Sequence, residues 1–155
     1  LGVTTDSYDC DGQIVSTSEI IPSLVAVTEA LQKFQGEIKQ VPPMFSAKKV
    51  NGQKLYDLAR KGQVVERAPV ALTVETELLE YAYPYLTVRI KCSKGTYIRS
   101  IAHDLGQLLG CGAHLTELMR TRSGHFSVDN CLAWDSFQSA GKDSLVARLL
   151  PSRNE

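Results

Sequence analysis

The feature that most constrains this sequence is a change of hydrophobic period within the segment from Leu86 to Leu109. Up to Cys92, apolar and polar residues alternate one by one, which predicts a half-buried β-strand with Cys92 on its apolar side. From Ile98 onward, apolar residues recur at intervals of three and four, which predicts a helix with one apolar face. Because the connection between the two patterns is short, we expect a strand that leads directly into a helix.

The connection itself contains residues suited to starting that helix. Gly95 permits a tight, left-handed turn, and the hydroxyl of Thr96 can accept a hydrogen bond from the first helical turn, so Thr96 is the predicted N-cap. Tyr97 and Arg99 are then expected in the opening turn. A cation at this end of a helix opposes the helix dipole, which costs roughly 0.3–1 kcal/mol, so Arg99 needs a partner.

Two interpretations of Arg99 follow from its position alone. In the first, the arginine pairs with an acid nearby in sequence, such as Asp104, or lies along the surface. In the second, Arg99 and the free N–H groups of the turn face an anion, which is either a phosphate or a functional carboxylate. The spacing of the residues does not decide between these interpretations.

The remaining patterns predict one domain of mixed structure. The chain has 155 residues, of which 43% are hydrophobic, which is enough to bury a single core. The other predicted elements are helices at 22–34 (ended by Gly36), from 55 to an end at Gly62, 132–137 and 145–150, and strands at 70–81 and 115–121. We expect the strand at 70–81 to be the antiparallel neighbour of the strand at 86–92. The fold class is therefore α+β, with a mixed, mostly antiparallel sheet and flanking helices.

Charge is distributed unevenly along a chain whose net charge is zero. Residues 48–67 contain six basic and two acidic residues, a local charge of +4, whereas residues 1–35 contain five acids and one lysine, a local charge of −4. The first of these segments suits contact with a polyanion such as RNA, although a solvated loop would have the same composition.

The cysteines and histidines do not predict a metal or cofactor site. The four cysteines are widely spaced without a C-x-x-C pair, and the three histidines lack zinc-ligand spacing. We expect reduced cysteines, no metal, no cofactor and a cytoplasmic protein. Residues 6–11 hold three aspartates, but without the glycine and glutamate of a calcium loop, so a hydrogen-bonded turn is expected. There is also no apolar run near the roughly 20 residues that span a membrane.

Three separate motifs together resemble one family. They are SKGTYIRSIAHDLG followed by LLGCGAHLTELMRT, LGVTTDSYDCDG at the start, and PPMFSAKKVNGQKLYDLARKG in between. These closely resemble the TruB-type tRNA pseudouridine-55 synthases, which isomerise a uridine in the tRNA T-loop. The resemblance implies that Arg99 holds a nucleophilic aspartate, that Tyr97 lines the uracil pocket and that Leu118 lines it as well.

The same resemblance implies an RNA-binding surface. The segment 38–67 would be an arm that grips the T-arm stem-loop of tRNA. The residues expected to contact RNA are Lys49, Tyr56, Arg60, Lys94 and Arg120. Without the resemblance, the arm could equally be a lid that merely covers the sheet.

The match also implies what these 155 residues lack. The nucleophile of the family lies in a G-T-L-D-P element, which does not occur here and is expected upstream of Leu1. We therefore expect residues 1–126 to be the C-terminal portion of a catalytic domain, and 127–155 a helical tail leading towards an absent RNA-binding domain. The chain alone would be inactive, its partner being the missing N-terminal half of the same enzyme, a monomer when full-length. The alternative is a non-catalytic RNA-binding module with the same fold.

Overall fold

The computed structural model describes residues 1–46, 48–50 and 52–148, which divide into two compact units, Leu1–Glu117 and Leu118–Glu155. The strands of the first unit are β1 (Val3–Thr5), β2 (Ile14–Thr17), β3 (Gly36–Gln40), β4 (Lys49–Val50), β5 (Gln53–Lys54), β6 (Val70–Ala82) and β7 (Tyr85–Cys92). Its helices are α1 (Leu24–Gln32), α2 (Leu55–Arg60) and α3 (Ile98–Leu108). The α+β class expected from the sequence is confirmed.

The main sheet has three antiparallel strands in the order β3-β6-β7. Along β7, half-buried and exposed residues alternate as predicted, although Cys92 at the end of the strand is exposed. On the solvent face, Glu77 and Glu75 of β6 form exposed ion pairs with Arg89 and Lys91 of β7. Pairs this exposed contribute little stability, so burial of the opposite face must hold the sheet in place.

Helices α1 and α3 pack against that opposite face and form the core with it. The core consists of Val27, Ala30, Leu31 and Phe34 from α1 and its end, Val74 from β6, and Ile101 and Leu105 from α3. Ile98, Ile101, Leu105 and Leu109 belong to this core or pack against it at the predicted intervals of three and four, so the helix lies with its apolar face on the sheet, although Leu108 is exposed. Its first turn is thereby fixed at the end of β7.

The chain begins with a hairpin formed by β1 and β2. The acidic segment between them is a turn, in which a side-chain oxygen of Asp6 accepts a hydrogen bond of 2.9 Å from the backbone N–H of Gln13. The predicted hydrogen-bonded turn is thus confirmed.

Three local predictions are wrong. Thr96 is not the N-cap of α3, because its hydroxyl donates to the carbonyl of Ser93 at 2.8 Å, and the cap position is taken by Tyr97. Gly36 does not cap α1; it begins β3, with a φ of +81°. Residues 115–121 do not form a sheet strand, since only Leu115 is bridged, to Asp9 in parallel orientation. Gly95 adopts the expected positive φ, of 91°.

The second unit is built of short elements. They are the hairpin of β8 (Arg122–Ser123) and β9 (Phe126–Ser127), a 3-10 helix (Val128–Asn130), α4 (Trp134–Ser139) and α5 (Lys142–Val146). The two predicted C-terminal helices are present in shifted form, and the last two residues of the second prediction, 149–150, lie outside the described residues. Within the described ranges, none of the helices is both long and apolar enough to cross a membrane.

Candidate functional site

The guanidinium of Arg99, in the first turn of α3, is the centre of the candidate site. Its Nη1 donates to a carboxylate oxygen of Asp9 at 2.9 Å, and its Nη2 donates to the backbone carbonyl of Phe45. Both side chains of the ion pair are about three-quarters shielded from solvent, with exposures of 23% for Arg99 and 24% for Asp9. The partner of Arg99 is therefore a carboxylate 90 positions away and not Asp104.

Asp9 is held ionised by its surroundings. Its carboxylate accepts hydrogen bonds from the Ser7 hydroxyl and from the backbone N–H of Asp11 as well as from Arg99. Partial burial opposes ionisation, but the Ser7 hydroxyl and the Arg99 guanidinium outweigh it and hold the pKa of Asp9 below its ordinary value. A guanidinium has five N–H donors, so the two contacts of Arg99 do not exhaust its capacity to bind a further carboxylate.

The backbone around Asp9 is tied to the segment that follows α3. Asp9 is bridged to Leu115, whose N–H donates to the carbonyl of Tyr8 at 2.9 Å. Gly112 has a φ of +72°, and a Cβ there would lie 2.3 Å from the hydroxyl of Thr4, so only glycine fits against β1. Asp9 is thus fixed from two sides, by the start of α3 through Arg99 and by the chain beyond its end.

An aromatic stack supports the turn that carries Asp9. The rings of Tyr8 and His103 lie 3.8 Å apart between centroids with an interplanar angle of 19°. Tyr8 has a φ of +69°, a conformation that a non-glycine residue adopts at a cost in free energy. Burial lowers the pKa of His103, with Asp104 opposing the shift, so the imidazole that faces Tyr8 is neutral at neutral pH.

Tyr97 lies two residues before Arg99 and is held by its backbone. Its N–H donates to the side-chain oxygen of Gln40 at 2.8 Å, and its carbonyl accepts from the side-chain nitrogen of Gln40 at 3.0 Å. Tyr97 and Gln40 both line a pocket of about 200 Å³, together with Lys48 and the apolar side chain of Leu72. A predominantly apolar pocket with an amide and a cation in its wall is suited to a small polar ring.

The predicted RNA-binding arm, segment 38–67, contacts Arg99 through Phe45, which in turn contacts Tyr56. Phe45, whose carbonyl binds Arg99, lies edge-on to Tyr56 at 6.2 Å, and the guanidinium of Arg60 lies 4.3 Å from the centre of the Tyr56 ring. Two of the residues predicted to contact RNA, Tyr56 and Arg60, are therefore adjacent and share a cation–π contact on α2. The contacts run without a break from Asp9 to Arg60.

The contacts described above do not include the other predicted site residues. Lys94 is exposed in the turn before α3. Lys49 begins β4, and its side chain lies outside the described part of the structure. Leu118 and Arg120 belong to the second unit, where both are exposed.

Sequence reasoning missed Asp9 as the partner of Arg99, because its place among three aspartates marked only a turn. It also missed Gln40, which stands in the unremarkable stretch Ile38-Lys39-Gln40. Asp9 could have been suspected, since a cation at a helix start needs a carboxylate and Asp9 lies in a turn among other acids. No comparable signal marks Gln40. Among the described residues, no group of three or more His, Cys, Asp and Glu side chains could hold a metal ion.

The fold and the site together define a protein that holds a carboxylate with an arginine two residues after a tyrosine that lines a mostly apolar pocket. Comparison with known proteins identifies its family. Residues 1–98 match the family described as "TruB family pseudouridylate synthase (N terminal domain)", and residues 99–152 match "tRNA pseudouridylate synthase B C-terminal domain". The chain belongs to the TruB family of pseudouridylate synthases.

Similar curated proteins bear a matching name. Proteins called tRNA pseudouridine synthase B from Protochlamydia amoebophila, Chlamydia muridarum and Francisella philomiragia are 67%, 56% and 45% identical over 85%, 92% and 96% of this chain. The matches cover 50%, 59% and 50% of those proteins, so the chain spans about half the length of the curated relatives it matches.

One solved structure resembles the fold as well as the sequence. It is the crystal structure of a Cbf5-Nop10-Gar1 complex, of which one chain is 30% identical, with a TM-score of 0.60. The match covers 76% of this chain and 31% of that chain.

Proposed function

We propose that this chain is part of a tRNA pseudouridine synthase, an isomerase that converts the uridine at position 55 of the tRNA T-loop to pseudouridine. The observation that carries the proposal is the partly buried ion pair between Asp9 and Arg99, which lies in the first turn of α3, two residues after Tyr97. Names of relatives such as tRNA pseudouridine synthase B support it.

The reaction breaks the bond between C1′ and N1, rotates the uracil and joins C1′ to C5. N1 gains a proton and C5 loses one, so the reaction has no net redox change and needs no cofactor. An aspartate begins it and must stay ionised in a closed pocket, where desolvation would raise its pKa. We assign this aspartate to a G-T-L-D-P element outside these 155 residues, and we assign its orientation and ionisation to Arg99.

The substrate base must leave the stack of the T-loop to react. Flipped bases are received by aromatic and apolar side chains. In this proposal Tyr97 and Leu118 are each assigned such a contact with the base, because of their places in the TruB-type motifs. Lys49, Tyr56, Arg60, Lys94 and Arg120 contact the phosphates and bases of the T-arm. The exposed ring of Tyr56, backed by Arg60, suits stacking against a nucleobase.

The test is a tritium-release assay on T-loop RNA that carries 5-tritiated uridine. The full-length protein should release tritium into water, because the C5 hydrogen is lost when C1′ joins C5. The 155-residue chain alone should release none, because it lacks the G-T-L-D-P aspartate. Release by the chain alone would overturn the placement of the nucleophile. RNA binding by the full-length protein without release would favour the non-catalytic RNA-binding module.

A further inference from the structure

We propose that Gln40 is a positioning residue that fixes Tyr97 in the geometry needed for uridine isomerisation, an inference that rests on the function proposed above. Its side-chain amide makes both available backbone contacts to Tyr97, accepting from the N–H at 2.8 Å and donating to the carbonyl at 3.0 Å. Gln40 is only 2% exposed, so this amide is committed to a protein partner instead of water.

The contact matters because the N-cap residue of α3 supplies no side-chain cap of its own. Tyr97 occupies the N-cap position, yet its side chain caps no N–H group of the helix. Its carbonyl receives the first helical N–H groups, from Ser100 and Ile101, at 3.1 and 3.3 Å. The orientation of the Tyr97 peptide is therefore set by the helix on one side and by Gln40 on the other.

Gln40 and Tyr97 also line the same pocket of about 200 Å³. A small rotation of the Tyr97 peptide would displace the ring further than the backbone, because the ring lies farther from the axis of rotation. Arg99 follows in the same turn and would turn with it. Misplacement of reacting groups by about 1 Å can cost about a hundredfold in rate, so loss of this contact should lower kcat.

The chain provides a matched control at the other end of β3. The side-chain amide of Gln35 makes the same pair of backbone contacts to Thr76 of β6, donating to its carbonyl at 2.7 Å and accepting from its N–H at 3.2 Å. Gln35 and Gln40 are separated by roughly 16 Å along the strand. Gln35 is exposed and donates to the Thr76 hydroxyl as well, at 2.9 Å, whereas Gln40 is buried. Removing either amide deletes a paired backbone contact, but only the contact of Gln40 supports Tyr97.

The experiment compares Gln40→Leu with Gln35→Leu in the full-length protein. Leucine keeps a comparable side-chain size and removes both hydrogen bonds. Hydrogen exchange of the Tyr97 amide should accelerate in Gln40→Leu and stay at its wild-type rate in Gln35→Leu. In the tritium-release assay, kcat of Gln40→Leu should fall roughly tenfold to hundredfold with KM for the RNA unchanged, whereas Gln35→Leu should keep wild-type kcat.

The proposal is overturned if Gln40→Leu retains wild-type kcat, or if both variants lose kcat equally. Should Gln40→Leu fail to fold, Gln40→Glu decides in its place, because it keeps the oxygen that accepts from Tyr97 and loses the donor. If kcat falls further in Gln40→Glu than in Gln35→Glu, the proposal is supported. If the two variants have equal kcat, it is refuted. If the wild-type protein releases no tritium, the proposed function is refuted and this inference with it. If the wild type is active and Gln40→Leu keeps the same kcat, the inference alone is refuted.

Discussion

The two helices that cover the sheet begin in opposite ways. Helix α1 starts at Ser23, whose hydroxyl accepts a hydrogen bond of 3.2 Å from the N–H of Ala26, so its cap is supplied from within three residues. Helix α3 starts at Tyr97 without any side-chain cap bond and carries Arg99 against the helix dipole. Its supports come from 57 and 90 positions away, from Gln40 and Asp9.

The two helix starts differ in what stabilises them. A local cap stabilises a helix wherever the rest of the chain lies, whereas the start of α3 depends on the assembled fold. Sequences that fold reliably break local rules mainly where function requires it. The missing cap and the cation that opposes the helix dipole single out the start of α3 as the candidate site, and each can be tested against the ordinary start of α1.

The largest effect is expected from Arg99→Ala in the full-length protein. The variant loses a charge-assisted hydrogen bond to a carboxylate, worth about 1.5–3 kcal/mol, so the rate of tritium release should fall by about tenfold to 150-fold. Arg89→Ala is the control, since Arg89 also forms an ion pair but on the exposed face of the sheet. Comparable losses in both variants would contradict the special role of the α3 start.

A smaller loss of activity is expected from Tyr97→Phe. If the hydroxyl acts in the chemical step, its removal costs about the 0.5–1.5 kcal/mol of a single hydrogen bond, which lowers kcat by up to about tenfold. Affinity for RNA, measured by filter binding, should be unchanged. A weakened affinity at full kcat would instead assign Tyr97 to RNA binding.

Ser23→Ala should affect stability and leave the chemistry alone. Loss of an N-cap hydroxyl costs about 1 kcal/mol, which chemical denaturation should detect as a lower unfolding free energy. The counterpart at the other helix is Thr96→Ala, which removes no cap bond because the Thr96 hydroxyl binds Ser93. Equal destabilisation by the two substitutions would show that Thr96 caps α3 in solution.

The smallest effect is expected in the pH dependence of stability. The folded protein lowers the pKa of Asp9, so its carboxylate contributes stability that is present above the unfolded value of about 3.9 and is lost as pH falls through the lower folded value. A carbon-detected NMR titration of Asp9 should have its midpoint below about 3.9 in the wild type and a higher one in Arg99→Ala. A midpoint at or above the ordinary value would argue against the ion pair.

The sequence predicted what local patterns determine. Alternation along residues 86–92 and the three-four spacing after Ile98 placed β7 and α3 correctly, because burial of one face imposes those periods. Arg99 was recognised as needing a partner because a cation at the start of a helix opposes the helix dipole. The resemblance to the TruB-type family then supplied roles that spacing alone left open.

What could not be predicted depends on contacts between distant segments. Nothing near Thr96 reveals that its hydroxyl turns back to Ser93, or that Gln40 approaches Tyr97 instead. Residues 115–121 were expected to form a sheet strand, yet within them the structure has only the single bridge from Leu115 to Asp9. These outcomes are decided by which segments the fold brings together, which periodicity does not encode.

The double attachment of Asp9 limits how the gene for this protein can change in length. Arg99 contacts Asp9 at one end of the segment 99–115, and Leu115 is bridged to it at the other. One residue inserted into α3 would rotate the helix start by about 100° relative to its end, so both attachments could not persist. We therefore expect functional homologues to keep the spacing between the arginine and this leucine, while insertions and deletions accumulate in the loop before β6.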